Sequence, residues 1–146
     1  MSFCRSAAEG ARIDVAVLGE YTATSILIVW TLIDVLAHRL FLAPIYASTP
    51  HLWRPFDQMS IALIYSVTFG SIAIFVAAYR LLVRPKSLRA GLLLGLFLGL
   101  ALGTSVGFGT CIHAPIPLAL AWGWFLAGSI KGVAAGAILG ALVTEG

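Results

Sequence analysis

Residues 90–110 read AGLLLGLFLGLALGTSVGFGT and residues 118–143 read LALAWGWFLAGSIKGVAAGAILGALV. Each run is long enough to cross ~30 Å of hydrocarbon as a helix rising ~1.5 Å per residue. In both, glycine returns at every fourth position: Gly91, Gly95, Gly99, Gly103 and Gly107 in the first, Gly128, Gly132, Gly136 and Gly140 in the second. That spacing places them on one stripe of each helix. Small residues let two backbones approach closely, and such contact is what joins helices in lipid, where burying apolar surface gains little. The glycine zipper so formed predicts that the two helices pack on each other or on copies of themselves. A homo-oligomeric ring, or a partner helix on a second small-residue face, is the other use of such stripes.

Two more apolar runs precede this pair, YTATSILIVWTLIDVLAHRLFL over residues 21–42 and MSIALIYSVTFGSIAIFVAAY over residues 59–79. Hydrophobic residues make up 60% of the chain and charged ones only 10%, with a mean hydropathy of +1.01. A soluble domain this small needs polar side chains over a large exterior, and there are too few of them here, so lipid is the solvent that suits this composition. The expected fold is all-α: an integral membrane four-helix bundle spanning residues 21–143, with spans near 21–42, 59–79, 90–110 and 118–143. Pro44 should end the first span by denying the helix a backbone donor. The following stretch, APIYASTPHLWRPFDQ, reads as a structured outer loop in which Tyr46, Trp53 and Arg54 sit at headgroup level. The triplet Gly70-Ser71-Ile72 echoes Gly128-Ser129-Ile130, a weak sign of a duplicated hairpin.

The net charge of +3 comes from Lys and Arg gathered at span boundaries, not on one helical face, which excludes the pattern of a nucleic-acid surface. Residues 1–20 lack a secretory-signal profile and read as a cytoplasmic arm. This arm and the turn after the second span hold Arg5, Arg12, Arg80, Arg84, Lys86 and Arg89, against Arg39 and Arg54 on the other side. The excess predicts that both termini face the cytoplasm, in a multi-pass protein of a bacterial-type inner membrane. Cys4 and Cys111 then fall on opposite sides, so no disulfide is expected between them.

Asp34 and Lys131 lie well inside the first and fourth spans. A charge at bilayer centre costs at least ~2.5 kcal/mol, so each needs a partner, a wet cavity or neutralisation. The simplest arrangement has them facing each other, the lysine stem closing a vertical offset of ~8 Å. Such a pair fixes the register of two helices. Together with His38 it could also serve a proton relay or a solute path. Trp30, Asp34 and His38 recur at four-residue intervals and share a face. His38, His51, Cys111 and His113 all fall toward the outer side, where they could ligate copper, zinc or haem, although their spacing matches no closed metal site and no cofactor is the first expectation. The chain carries no GxxxxGK[ST], HExxH, nucleophile elbow or zinc-type cysteine pair, which argues against an enzyme.

The run Asp34-x3-His38-x3-Leu42-x3-Tyr46, followed by Thr49, Leu52-Trp53-Arg54-Pro55 and Met59, resembles a group of small four-span bacterial inner-membrane proteins. Those proteins share an Asp-x3-His-Gly start, a later Tyr, a Leu-Trp-Arg element and a glycine-rich second hairpin. The likeness covers most of residues 25–143, with Arg39 standing where the group has glycine. It implies a four-helix membrane fold in which Asp34, His38, Tyr46, Trp53 and Arg54 are the positions to watch, and it carries no activity with it. Two functions remain open on the residues. One is a non-catalytic accessory subunit of a homo-oligomer or larger membrane complex. The other is a proton-coupled or small-solute transporter using Asp34, His38 and Lys131. For either, lipid and other membrane subunits are the expected partners, and nucleic acid is not.

Overall fold

A computed structural model describes the backbone of residues 2–143, and the side chains of residues 19–55 and 57–143. Among the described residues the chain is entirely helical and loop, with no strand. Helix α1 (Ser2–Leu36) continues into a π-helical turn (Ala37–Phe41), and a short helix α2 (Ala43–Ser48) follows. After two 3₁₀ turns come α3 (Ile61–Leu82) and α4 (Leu88–Thr104), the latter extended by a second π turn (Ser105–Gly109) and α5 (Thr110–His113). Helix α6 (Leu118–Leu142) completes the fold. Four helical stretches, Gly19–Phe41, Ile61–Leu82, Leu88–His113 and Leu118–Leu142, are long and apolar enough to cross a membrane.

The element boundaries have local causes. Ser60 and Ser87 cap α3 and α4, their hydroxyls accepting from the backbone N–H of Leu63 and Ala90 at 3.2 Å each. Helix α3 runs past Tyr79 through Arg80, and stops where Val83 turns extended just ahead of Arg84-Pro85. Pro44 does not simply close the first span; it occupies the first turn of α2, where a missing N–H costs nothing. The π turn ahead of it shows in the Leu42 N–H, which donates to Ala37 O at 2.9 Å. From Ser2 onward the expected arm and the first span are one continuous helix. The side chains of Cys4, Arg5 and Arg12 lie outside the described residues.

The closest pairing is α4 against α6, and the glycines explain it. A Cβ at Gly91 would lie 2.8 Å from Gly140 Cα, one at Gly99 would lie 2.9 Å from Ser129 O, and one at Gly128 would lie 3.0 Å from Gly103 Cα. The stripes of the two helices therefore face each other within one chain, backbone on backbone, with no room for a methyl group. Gly70 is different, for nothing comes within 4 Å of a Cβ placed there. The two Gly-Ser-Ile triplets thus occupy unlike environments.

Helix α1 packs on α6, while α3 leans on the rest only through its second half, where Ile72, Phe75 and Tyr79 are buried. These three join Ile26, Trp30, Ala135 and Leu139 in an apolar cluster toward the end closed by the 83–87 turn. A second cluster, Leu42, Ile116, Leu120 and Ala121, sits under the 43–58 loop. The outward faces remain apolar, as with Phe97 at 67% and Ile112 at 80% exposure, which suits a helix surface surrounded by hydrocarbon.

Candidate functional site

Between the two apolar clusters lies a layer of polar side chains around a cleft of about 320 Å³. Its α1 wall is Trp30 and Asp34, continued by His38 in the π turn; α6 contributes Trp124 and Lys131; Thr68, Ser71 and Phe75 come from α3, and Leu102 from α4. The cleft exists because α3 and α4 part company. The first half of α3, from Ile61 to Gly70, buries nothing even though Ala62, Ser66 and Gly70 recur at every fourth position, and α3 makes little contact with α4.

Lys131 is held at three points. Its Nζ donates to Asp34 Oδ1 at 2.9 Å and to Oδ2 at 3.1 Å. The same ammonium lies 5.4 Å from the centroid of the Trp30 ring, within cation–π range. The Trp30 indole N–H donates to the Lys131 carbonyl at 2.8 Å. One turn of α1 thus grips both the backbone and the head group of Lys131. The pair is not sealed, since the Lys131 and Asp34 side chains remain 25% and 40% exposed, on the cleft.

A second polar group lies one turn further on. His38 Nδ1 is 2.7 Å from the Tyr46 hydroxyl, which accepts the Trp124 indole N–H at 2.7 Å. Because indole nitrogen can only donate, the Tyr46 proton is free for His38 Nδ1, and the neutral imidazole then carries its own proton on Nε2. Trp53 packs edge-on against Tyr46 at 5.1 Å and donates its N–H to Thr49 Oγ1 at 3.1 Å, so the α2 loop roofs this network. Thr68 and Ser71 donate to the carbonyls of Ile64 (3.0 Å) and Val67 (2.9 Å) in their own helix, leaving oxygen lone pairs available. The valences left open in the cleft are mostly acceptors.

Burial raises the Tyr46 pKa above its ordinary 10.0; the indole hydrogen bond from Trp124 opposes this and the negative charge of Asp34 adds to it. A phenol favoured neutral in the fold contributes stability below the unfolded value, and that stability is lost as pH climbs through the folded one. The 295 nm absorbance difference between wild type and Tyr46→Phe should therefore show Tyr46 ionising at higher pH than free tyrosine in the same buffer. Coincident titration would mean the hydroxyl is not held in this network.

The candidates expected on the outer side are not brought together. His51, Arg54 and His113 are exposed, and the Cys111 thiol is 3.7 Å from Ile116 O. Among the described residues no three His, Cys, Asp or Glu side chains converge as metal ligands. Trp124, Thr68, Ser71 and Phe75 enter the site without having been singled out from the sequence. Trp124 could have been found, because it precedes Lys131 by seven residues and so shares its face. Set against protein-family models, curated proteins and solved structures, the chain matches none, so the chemistry of the cleft follows from its own side chains.

Proposed function

We propose that this chain is a multi-pass protein of a bacterial-type inner membrane, both termini cytoplasmic, that binds a small solute at the Asp34–Lys131 cleft as a transporter does. The charge count supports the orientation, and the resemblance to small four-span bacterial proteins supports the setting. One observation carries the functional reading: the intramembrane ion pair opens onto a cleft instead of being closed into a helix interface. A pair needed only for register would be best sealed, since hydrocarbon penalises each exposed face of a charge. In this orientation the end of the cleft lined by His38, beneath the 43–58 loop, faces outside.

The test is water in the cleft. In a chain with Cys4 and Cys111 replaced by alanine, Ser71→Cys should react with a membrane-impermeant methanethiosulfonate cation added outside. Ile74→Cys, on the outward face of α3, should not, because a thiol in lipid does not form the reactive thiolate. An unreactive Ser71→Cys would remove the solute-site reading. The accessory-subunit reading is favoured by the unpacked first half of α3, onto which a partner helix could dock. It predicts protection in native membranes that disappears on purification.

A further inference from the structure

We infer that the solute recognised by the cleft is an organic cation with an apolar body, an amine or quaternary ammonium, and that the Lys131 ammonium is its tethered stand-in. The inference rests on the solute-site reading above and adds the substrate class. The cleft already holds a cation, and everything that holds it would serve another: a carboxylate at 2.9 and 3.1 Å and an indole face at 5.4 Å. Two more aromatic walls are present, Phe75, which meets Trp30 edge-on at 5.5 Å, and Trp124. Aromatic faces around one carboxylate are the chemistry that recognises alkylated ammonium groups, which cannot be matched by hydrogen bonds alone. The volume of about 320 Å³ is at the small end of ligand sites, enough for a compact aromatic amine.

The charge balance shows why Lys131 must yield. Asp34 and Lys131 sum to zero, and the hydroxyls of Thr68 and Ser71 add no charge. A second cation entering beside Lys131 would leave an excess positive charge in a low-dielectric cleft. An entering cation must therefore compete with the ammonium for Asp34 and Trp30, the flexible lysine stem carrying the displaced head group to the open side of the cleft, where water takes up the excess charge. Lys131 thus sets the affinity by competition, so removing its charge should strengthen binding, the reverse of what a ligand-holding residue would show.

The experiment uses the full chain in phosphatidylcholine nanodiscs and tritiated benzyltrimethylammonium as the probe. Lys131→Met is expected to bind it about tenfold or more tightly than wild type, and Asp34→Asn in the Lys131→Met background should lose that gain. Neopentylbenzene, the uncharged isostere, should not compete. Lys131→Gln, which removes the charge and keeps a hydrogen-bond donor for Asp34, should gain in the same direction and serves if Lys131→Met does not fold. Unchanged or weaker binding in the folded charge-removal variants would overturn the inference, as would equal competition by the neutral isostere. If Ser71→Cys is labelled but the cation does not bind, the substrate class alone is wrong. If Ser71→Cys is not labelled, the solute site itself is wrong.

Discussion

Gly132→Ala should destabilise the protein by on the order of 3 kcal/mol, measured by SDS-induced unfolding of the protein in mild detergent and followed by far-ultraviolet circular dichroism. An added Cβ there meets backbone: Gly99 N would be 2.8 Å away, and Gly99 Cα closer still. A flexible side chain could swing aside, but a helix backbone cannot, so α4 and α6 would have to separate along their whole seam. Gly136→Ala should behave likewise, its neighbours being Gly91 and Gly95 backbone. The control is Gly70→Ala. With nothing within 4 Å, it should be neutral or stabilising by up to about 1 kcal/mol through helix propensity. Equal responses at Gly70 and Gly132 would mean that the α4–α6 seam is not the backbone contact described.

The second large effect concerns the ion pair. Asp34→Asn and Lys131→Met should each lower stability by about 2 kcal/mol, and the double variant should recover more than half of the summed loss. Removal of one partner from a fully buried pair costs about 3–5 kcal/mol, and the lower figure here reflects the exposure of both side chains on the cleft. The double variant leaves no orphaned charge, and a methionine can pack on Trp30 where the lysine stem lies. Strict additivity would show that the two groups do not depend on each other in the folded protein. Binding of benzyltrimethylammonium by Lys131→Met should return part of the lost stability, because the cation would supply Asp34 with the charge it lacks.

The four helices were legible because a hydrophobic stretch is a local property: composition and length over about twenty residues suffice to read one. Their ends were less so. The second span was expected to stop at Tyr79 and runs to Leu82, because a single arginine in a last turn does not break a helix and the Pro85 junction does. The π turns at Ala37–Phe41 and Ser105–Gly109 left no readable mark, since they arise from how one helix end meets its neighbours.

The site divides in the same way. Asp34, His38 and Lys131 stand out in any reading, because an ionisable group in an apolar run must be answered by something. Trp124, Thr68 and Ser71 do not, since a tryptophan or a hydroxyl in a membrane helix draws no notice until its neighbours are known. The scattered His51, Cys111 and His113 looked like one group only because they share an end of the molecule; among the described residues they do not converge.

Residue order and composition were enough to set the helical class, the number of long apolar helices and the demand that two charges and nine glycines be accommodated. Packing in three dimensions settled the rest: the glycines of α4 and α6 are used on each other, and α3, whose first half stays exposed, makes little contact with α4. The ion pair consequently borders a cleft instead of closing one. Hydropathy and spacing are properties of a single segment, whereas a cleft is the space that several segments fail to fill, and that depends on how all of them pack at once.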